Sequence, residues 1–563
     1  MSFLAETIAL ICLIWSLAVV FVTAIGISAV YEGPHAFLGC IKHDLLTLVS
    51  CRFRYYSQRP QPSVSSKLDD NAPHVTIIRP AKGLEPQLYE CLASTFQQDY
   101  PADRLSIRLC VDSLTDPAYP ILKKLIHDFP KVDAKVLVES ADPQLHGPNG
   151  NPESLGPNPK IRNISRAYRE AKGDIIWIID CNVWVSTGVL GRTVDKLMGY
   201  QPGTKSAKPY KFVHHLPLVV DIVDYGKEPS AASQALLSSG SEASASTFSI
   251  PKLGTDLPSR VVANGGGRLD EMFMSTSHAK FYAAINAVGI APCIVGKSNM
   301  FRKSHLNSAT DPTRNLALPK DDARQPGINY FSFNICEDHL IGDILWRSDI
   351  PGHANHGLVW GDLVVQPMAG MTLAAYVARR VRWLRARKFT VLAATLVEPG
   401  VESLVCCAYL AFAVTTLPYF HKILGLPQTW LATILCWIAL VLLWMQVDRT
   451  IYHRLQSART IETDPNTPFF ATGILRQWTK RSYVEWVLAW LGREAMALPI
   501  WTWAVLLGMT VNWRGQTFTV RLDTTVIVSK VASTIVGSGG SRDQGISTPE
   551  LERAGQESKD RLD

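Results

Sequence analysis

The feature of the sequence that most limits its fold is an apolar segment near the N-terminus, residues 7–30, that contains no charged side chain. A helix rises about 1.5 Å per residue, so this segment is long enough to cross roughly 30 Å of hydrocarbon. The apolar run is longer than that of a cleaved signal peptide, and no lysine or arginine precedes it, which favours a retained anchor. We therefore expect residues 1–31 to form an N-terminal transmembrane anchor.

The charges that flank this anchor indicate its orientation. Lys42, Arg52, Arg54 and Arg59 follow the apolar segment, and no basic residue lies before it. Loops rich in lysine and arginine stay on the cytosolic side of a membrane. The residues that follow the anchor are therefore expected in the cytosol.

Two further apolar stretches lie close together in the last third of the chain, and they predict a transmembrane hairpin over residues 400–447. The next segment, residues 448–482, holds more arginine and lysine than acidic residues, which favours a cytosolic loop. A last membrane segment is expected over residues 483–513, although Arg493 and Glu494 interrupt it. Charged side chains at membrane depth are costly unless they are paired or line a cavity, so this pair is a candidate functional feature.

Composition excludes several classes of protein. Of the 563 residues, 47% are hydrophobic and 19% are charged, which excludes a disordered chain or a coiled coil. The 11 cysteines form no CxxC pair, so neither a zinc ribbon nor a disulfide framework is indicated. A formal net charge of +7 is small for this length, and we expect no nucleic-acid partner.

Residues 32–399 are expected to form one cytosolic α/β domain with a mostly parallel sheet. Short runs rich in β-branched residues alternate with segments of helical periodicity, which is typical of that class. Gly173 is interpreted as the residue that ends the helix at 160–172. The predicted strands are residues 75–79, 105–111, 135–138 and 174–180.

Three segments of this domain have compositions typical of loops. Residues 142–159 are rich in Pro, Asn and Gly, residues 229–267 in Ser, Ala and Gly, and residues 307–327 also lack a periodic pattern. We interpret them as inserted loops. The C-terminal tail, residues 514–563, is expected to be partly disordered because its end has little to bury.

Carboxylates fall at the predicted ends of strands and helices. Asp116 follows one strand, Asp180 ends another, and Glu337 and Asp338 precede a helical segment. Ligands of parallel sheets bind beyond the carboxyl ends of strands, so these groups are candidates for binding a diphosphate and its cation or for acid–base chemistry. Taken singly, each of them is equally well explained as a turn or helix-capping residue.

A basic segment precedes the predicted hairpin. Residues 379–388 contain six basic side chains among apolar ones, and a helix with that pattern can simply lie on an anionic membrane surface. Its position after the three acidic sites gives it a second interpretation. The segment begins with Arg379, Arg382 and Trp383 in an R-x-x-R-W pattern.

The order of these motifs resembles that of the ceramide glucosyltransferases, an inverting GT-A family (glycosyltransferase family 21), and in particular of its fungal members with insertions. The resemblance runs from about Val75 to Glu402, with looser agreement at WRG, residues 513–515. It is carried by RPAKG (79–83), DYP (99–101), DPA at Asp116, NPKIRN (158–163), DIIWIID (174–180), STSH (275–278), ED (337–338), RRVRW (379–383) and EP (398–399).

The resemblance implies a GT-A Rossmann-like glycosyltransferase domain with N-terminal and C-terminal transmembrane helices. It also implies transfer of glucose from UDP-glucose to the primary hydroxyl of ceramide, with inversion to β-glucosylceramide. By the same resemblance, Asp338 is the expected catalytic base and Asp180 the ligand of the diphosphate and metal. The donor-binding residues are then Lys82, Asp116, Lys160, Asn163 and Asp180, and the other residues of the catalytic set are Arg379, Arg382, Trp383 and His278.

One departure from the pattern concerns the cation. Broader relatives often carry a second acid two positions after the acid that matches Asp180, and this chain has Asn182 there. A divalent cation, Mg²⁺ or Mn²⁺, is expected from the resemblance, with a single carboxylate to hold it.

The resemblance also implies partners and a location. We expect UDP-glucose, ceramide and membrane lipid as partners, leave a homo-oligomer open, and expect a multi-pass protein of the Golgi or ER membrane whose catalytic domain faces the cytosol. Two alternatives are a processive polysaccharide synthase of the chitin or hyaluronan type and a catalytically silent lipid-binding scaffold. Four predicted spans are few for enclosing a secretion pore, which argues against the polysaccharide synthase. All three acids are present, which argues against the catalytically silent scaffold.

Overall fold

A computed structural model describes residues 3–31, 56, 60–203, 207–222, 257–319, 324–472 and 482–528. The basic residues that we used to orient the anchor, most of the segment 229–267 and the end of the C-terminal tail lie outside these ranges.

A seven-stranded sheet forms the centre of the α/β domain, with the strand order β3-β2-β1-β4-β6-β5-β7. Only β6 runs antiparallel to its neighbours, so the other six strands share one direction, as expected for a mostly parallel sheet. The strands are β1 (Val75–Pro80), β2 (Leu105–Val111), β3 (Asp133–Val138), β4 (Ile175–Ile179), β5 (Tyr210–Asp221), β6 (Ser298–Arg302) and β7 (Ala354–Met368).

Helices cover both faces of this sheet, and further helices form the apolar segments at the two ends of the domain. Strands β1, β2 and β4 are therefore buried along their whole length. The helices are α1 (Phe3–Tyr31), α2 (Leu88–Ala93), α3 (Tyr119–Asp128), α4 (Pro143–His146), α5 (Pro159–Arg169), α6 (Val189–Met198), α7 (Leu257–Ser275), α8 (Ser277–Val288), α9 (Lys303–Ala309), α10 (Glu337–Arg347), α11 (Leu373–Arg387), α12 (Leu392–Val397), α13 (Ser403–Thr416), α14 (Pro418–Leu424), α15 (Trp430–Gln456) and α16 (Tyr483–Trp501).

The core lies in two layers, one on each face of the sheet. Successive strand residues point to opposite faces, so Ile77 and Trp177 pack in one layer while Ile78 and Ile176 pack in the other. The predicted strands lie within two residues of the observed bounds. Burial on both faces explains why the strand segments read as nearly continuous apolar runs.

The helix predicted at 160–172 is α5, and its expected end is wrong. It begins where the side chain of Asn158 accepts hydrogen bonds from the backbone N–H groups of Lys160 and Ile161, and it ends at Arg169. Gly173 lies beyond the helix, where a Cβ atom would come within 2.4 Å of the carbonyl oxygen of His74. Gly173 therefore permits a close backbone approach and does not cap the helix.

The inserted segments are more ordered than their composition predicts. Helix α4 and a 3₁₀ turn lie within residues 142–159, and residues 257–267 are the first part of helix α7, so the expectation of a loop there is wrong. The helix needs its glycines, because a Cβ on Gly266 would lie 2.1 Å from the carbonyl oxygen of Thr372. Close packing against neighbouring backbone orders a stretch that looks like a linker.

Two helices within the described residues, Phe3–Ser28 of α1 and all of α15, are long and apolar enough to cross a membrane. A third span is possible if Leu392–Val401 and α13, which meet at a bend of 67°, act as one. The first arm of the expected hairpin is thus a bent pair. Helix α16 does not meet the same criteria, so a span over residues 483–513 stays a prediction.

Three further strands follow α16, namely β8 (Thr510–Trp513), β9 (Gln516–Val520) and β10 (Val526–Val528), so residues 514–528 of the expected tail are ordered. They form a small antiparallel sheet with the order β10-β9-β8. The sheet packs against Ile335 and Phe389. It thereby holds the segment that leads into α10.

Candidate active site

Three parallel strands, β1, β2 and β4, end at the same edge of the sheet. Asp180 directly follows β4, Lys82 follows β1, and Asp112 and Asp116 follow β2. Neighbouring strands lie about 4.8 Å apart, so these loops form one continuous rim. The rim is where ligands of such sheets bind.

Asp180 lies between two lysines. Its Oδ1 atom is 3.1 Å from Nζ of Lys160, and its Oδ2 atom is 3.1 Å from Nζ of Lys297. Burial alone raises the pKa of Asp180, but the two ammonium groups outweigh burial and hold the pKa below its usual range. Asp180 is therefore ionised and pairs with two ammonium groups.

Lys160 connects Asp180 to the start of helix α10. Its Nζ atom is also 3.2 Å from Oε1 of Glu337, and the lysine side chain is only 12% exposed. Burial lowers the pKa of Lys160, but the carboxylates of Asp180, Glu337 and Asp338 outweigh burial and raise it. The structure thus brings together Asp180 and Asp338, which are far apart in the sequence, around one buried cation.

Asp338 lies in the first turn of α10 and is partly exposed. Burial raises the pKa of Asp338, although Lys160 opposes this shift. Gly296 faces the carboxylate, since a Cβ atom at this glycine would lie 2.7 Å from Oδ2 of Asp338. A carboxylate with a raised pKa beside a cleft has the properties of a general base.

Asp116 is at the same rim but does not contact Asp180, because β1 lies between their strands. Its carboxylate accepts hydrogen bonds from the backbone N–H groups of Gly83 and Ala118, at 2.9 and 2.8 Å from Oδ1. Lys82, next to Gly83, pairs with Asp112 at 3.1 Å. Asp116 thus holds together the loops that follow β1 and β2. These contacts agree with the alternative interpretation of Asp116 as a turn residue.

Asn163 is buried behind the rim. Its side-chain amide donates to the carbonyl oxygens of Ala81 and Cys110, at 3.3 and 3.2 Å. Asn163 therefore connects α5 to the ends of β1 and β2. In this arrangement it holds the rim together and does not line the cleft.

The R-x-x-R-W motif lies on helix α11. The guanidinium of Arg379 pairs with Asp270 at 3.4 Å, donates to Gln366 at 3.3 Å and stacks on Trp383, 4.4 Å from the ring centroid. Arg382, one turn further along, is half-buried. Arg379 is therefore fixed to α7 and β7 rather than pointing freely into the cleft.

His278 lies at the start of α8, with its ring stacked 5.2 Å from that of Tyr282. Burial, with Arg380 and Arg387 nearby, lowers the pKa of His278 to about 3. Its imidazole is therefore neutral at cellular pH. Nδ1 has no hydrogen-bond partner among the described residues.

A model of the family described as Glycosyl transferase family 21 matches residues 40–214 and 314–526. The chain belongs to this family. The resemblance and the assignment as a GT-A glycosyltransferase are thereby confirmed.

Named relatives agree with the family. The chain is 51% identical to a ceramide glucosyltransferase of Gibberella zeae, over 93% of this chain and 97% of that one. It is 55% identical to that of Pyricularia oryzae, over 84% and 90%, and 35% identical to that of Candida albicans, over 80% and 87%. Among solved structures, the mannosyltransferase PcManGT from Pyrobaculum calidifontis in complex with GDP-Man and Mn²⁺ covers 78% of this chain and 96% of that one, at 14% identity and a TM-score of 0.33.

Sequence reasoning missed three residues of this family 21 site, namely Lys297, Gly296 and Glu85. Lys297 precedes β6, whose antiparallel pairing places Ser298 beside Ile179 and therefore Lys297 beside Asp180. Burial raises the pKa of Glu85, which hydrogen-bonds Asn182 and lies within electrostatic reach of Lys297 and Arg379. Lys297 could not be predicted, because the direction of one antiparallel strand within a mostly parallel sheet does not follow from the sequence. Glu85 could have been predicted, because it lies close to the RPAKG motif in the sequence.

The expected cation can be tested against these side chains. Asp180 and Asn182 supply oxygen atoms of the kind that Mg²⁺ and Mn²⁺ prefer. Both carboxylate oxygens of Asp180, however, contact lysine ammonium groups, and no cluster of three His, Cys, Asp or Glu side chains within the described ranges could hold a metal. The residues as arranged do not form a cation site by themselves.

Proposed function

We propose that this chain transfers glucose from UDP-glucose to the primary hydroxyl of ceramide, with inversion, to give β-glucosylceramide. The observation that carries the proposal is the contact of Lys160 with both Asp180 and Glu337, which joins the rim of the sheet to the first turn of α10, where the candidate base Asp338 follows Glu337. The relatives named as ceramide glucosyltransferases support the choice of donor and acceptor.

The donor would bind over the ends of β1, β2 and β4. Within the described residues, Lys160 and Lys297 each have two oxygen partners, so one of the three N–H groups of each would meet the diphosphate, and Lys82 lies on the neighbouring loop. Ammonium groups in a partly buried cleft stabilise the charge that develops on the departing UDP. The loop fixed by Asp116 would shape the nucleotide pocket.

The chemical step would need a base on the acceptor side. Asp338 takes the proton of the ceramide hydroxyl as its oxygen bonds to the anomeric carbon, and the bond from that carbon to the diphosphate oxygen breaks. Attack opposite the leaving group inverts the α-linked donor. Such a base contributes roughly 10² to 10⁴ in rate. Glu337 is ion-paired with Lys160, which leaves Asp338 as the better candidate.

Arg379, Arg382 and Trp383 would act from helix α11. Arg379 is held by Asp270 and lies within electrostatic reach of Glu85 at the rim, so we assign it to positioning the donor loop. The neutral imidazole of His278 would serve as a hydrogen-bonding group rather than a cation.

A divalent cation, when bound, would be held by Asp180 together with the donor diphosphate and would neutralise leaving-group charge. Loss of turnover in EDTA, restored by Mn²⁺, would support a cation at Asp180, whereas full turnover in EDTA would assign charge neutralisation to the lysines alone.

We propose a multi-pass protein of the Golgi or ER membrane with its catalytic domain in the cytosol. The apolar helices α1 and α15 support membrane insertion. In this proposal residues 1–31 form the anchor and residues 32–399 the catalytic domain. Residues 400–447 then form the membrane hairpin, residues 448–482 a loop and residues 483–513 a membrane segment. Protease protection of sealed microsomes tests the orientation, since the catalytic domain should be digested without detergent.

The test of function is turnover by the purified full chain. UDP-glucose, UDP-galactose and GDP-mannose are each offered with ceramide, diacylglycerol and sterol in micelles. We expect one product, a monoglucosylated ceramide. A polymer would support the polysaccharide synthase alternative, and donor binding without turnover on any acceptor would support the silent scaffold.

A further inference from the structure

Helix α16 has an exposed face that is entirely apolar. Every exposed residue in the range 484–507, which the structure describes in full, has an apolar side chain. Exposed positions of a helix in water are mostly polar or charged. Along α16 the exposed positions follow one another at helical spacing, so they lie on one side of the helix. This apolar face consists of Val484, Leu488, Leu491, Ala495 and Leu498, and Pro499, Trp503, Leu506 and Leu507 are also exposed.

The charged side chains of α16 point in the opposite direction and are paired within the protein. Glu485 lies 3.0 Å from Arg268 of α7. The side chain of Arg493 is only 2% exposed, lies 2.5 Å from Oε2 of Glu402 and also pairs with Glu494. A helix at a water-facing surface has its charges outside and its apolar residues inside. The reversed arrangement of α16 is typical of a helix whose outer face meets lipid.

Helix α16 stays beside the catalytic domain from its start to its end. Near its start, Glu485 pairs with Arg268, which also lies 3.3 Å from Asp221 at the end of β5. Near its end, Ile500 packs against Tyr376 of α11. These two contacts are roughly 20 Å apart along the helix axis, which is most of the thickness of the hydrocarbon layer. A helix perpendicular to the membrane would have left the domain over that length.

The chain also remains at the domain after α16. Arg385 of α11 donates to the carbonyl oxygen of Thr510 in β8, at 2.8 Å. Asn334, which lies shortly before α10, donates from its side chain to the carbonyl oxygen of Thr524 at 3.0 Å. A single crossing would place the two ends of α16 on opposite sides of the membrane. Contacts with one domain at both ends place them on the same side.

Helix α16 meets the helices of the membrane hairpin near their charged ends. The indole N–H of Trp490 donates to Asp448 at 2.9 Å, and Asp448 is the first charged residue after the apolar stretch of α15. Arg493 contacts Glu402, the residue that precedes α13. Charged side chains at the ends of apolar helices lie near the boundary between hydrocarbon and head groups. Helix α16 therefore lies at the level of that boundary.

We propose that α16 lies in the plane of the membrane and inserts its apolar face into the leaflet on the side of the catalytic domain. The partner of this face is the upper acyl-chain region of phospholipids, which such helices enter by about 5–10 Å. This placement differs from the span that the sequence predicts for residues 483–513. It also places the end of the chain on the same side of the membrane as the catalytic domain.

Two observations favour lipid over a second copy of the chain as the partner of this face. The face is continuous with the surface of α15, whose exposed side chains at Leu431, Ile434, Leu435, Ile438 and Leu442 are those of a spanning helix. Tyr483 and Trp503, at the two ends of the face, are exposed aromatic residues of the kind that is enriched at membrane interfaces.

The first test measures the depth of both ends of α16. A fluorescent amino acid replaces Val484 or Leu498 in the full chain, which is reconstituted in phosphatidylcholine vesicles. The vesicles carry a nitroxide either near the head group or near the end of the acyl chain. For an in-plane helix, we expect the nitroxide near the head group to quench both positions at least roughly twofold more strongly. Leu488, on the same face, replaces Val484 if that variant does not fold.

The control for this test carries the same fluorescent amino acid at Lys123. This residue is exposed on α3, beside β3 at the far edge of the sheet from β5, and neither nitroxide should quench it. In a spanning helix, Leu498 would lie roughly 20 Å deeper than Val484, so stronger quenching of Leu498 by the nitroxide at the chain end would overturn the proposal. Quenching of both positions no stronger than at Lys123 would also overturn it, since protein would then cover the face.

The second test leaves α16 unaltered and compares the sides of the membrane. One epitope follows Asp563, and another is inserted after Gly203, an exposed residue of the catalytic domain. In sealed microsomes treated with protease, we expect both epitopes to be lost without detergent. Loss of the epitope at Gly203 alone would show that α16 crosses the membrane and would overturn the proposal. Protection of both epitopes until detergent is added would support the placement of α16 and show that the cytosolic orientation under the proposed function is wrong.

Discussion

The Nζ atom of Lys160 lies 3.1 Å from Oδ1 of Asp180, so a lysine in the first turn of helix α5 neutralises the carboxylate that follows strand β4. The same lysine contacts Glu337 at the start of α10. Asn158 caps α5 and also donates from its side chain to Glu337 at 3.2 Å. Asn158 and Lys160 therefore both connect α5 to the first turn of α10, where the candidate base lies, and Lys160 also connects it to the rim at Asp180.

Replacing Lys160 is expected to affect both halves of the site. Lys160→Met removes the cation between Asp180 and Glu337, and we expect turnover to fall at least roughly 10²-fold, as for loss of one preorganised charge-stabilising group. Lys123→Met, an exposed lysine of α3, is the control and should keep full turnover. Steady-state kinetics with UDP-glucose and ceramide measure both. Equal rates in the two variants would remove Lys160 from the mechanism.

The pH dependence of turnover gives an independent measurement. The base must be ionised, so activity falls as the pH falls through the pKa of Asp338, which burial raises above the usual aspartate range. Lys160 lowers that pKa, so its removal in Lys160→Met should move the acid limb of the pH–rate profile to higher pH. An unmoved or lower limb would contradict the assignment of Asp338 as the titrating base.

The base is tested directly by Asp338→Asn. The amide keeps the size of the side chain but cannot accept the proton, so kcat should fall by roughly 10² to 10⁴ while UDP binding survives. Asp343→Asn on the same helix is the control, because Asp343 pairs with the exposed Arg347 at the surface. A wild-type kcat in Asp338→Asn would show that another group takes the proton.

Much of this arrangement could be predicted from sequence. A β-rich run, an alternating apolar run and a nearly continuous apolar run identified β1, β2 and β4 respectively, and motif order led to Asp180, Asp338 and Lys160. Lys297 was missed, because it reaches Asp180 only through the antiparallel pairing of β6, and residue spacing carries no information about such a pairing. Asp116 was found for its motif, but its bonds to Gly83 and Ala118 depend on how two loops meet.

The segments that looked like linkers show a second limit. Glycine-rich residues 265–267 suggest flexibility by composition, yet they lie in α7, where the backbone of Thr372 approaches Gly266 too closely for a side chain. Whether glycine marks freedom or close contact is decided by tertiary packing, which local patterns do not encode.

Gly296 is predicted to be required by its contact with Asp338. The Cβ of Gly296→Ala would lie 2.7 Å from Oδ2 of Asp338, closer than real contacts allow, so the carboxylate must move. We expect kcat to fall roughly tenfold or more, since displacement of a reacting group by about 1 Å is costly. Gly492→Ala is the control, because among the described residues its Cβ would meet only Leu269, at 3.4 Å. Normal kcat in Gly296→Ala would place the reactive carboxylate elsewhere.

A buried ion pair joins the catalytic domain to helix α15, and its loss is expected to lower the stability of the protein. Lys280 of α8 lies 2.6 Å from Oδ1 of Asp448, and the side chains are 1% and 0% exposed. Lys280→Met removes the ammonium and leaves Asp448, within the part of the chain that the structure describes, with the indole N–H of Trp490, 2.9 Å from Oδ2, as its remaining partner. Breaking a buried pair on one side costs about 3–5 kcal/mol, so the midpoint of thermal unfolding in detergent should fall by several degrees. Arg347→Met, which breaks an exposed pair with Asp343, should cost less than about 1 kcal/mol. Equal midpoints for the two variants would mean that the Lys280–Asp448 pair does not stabilise this junction.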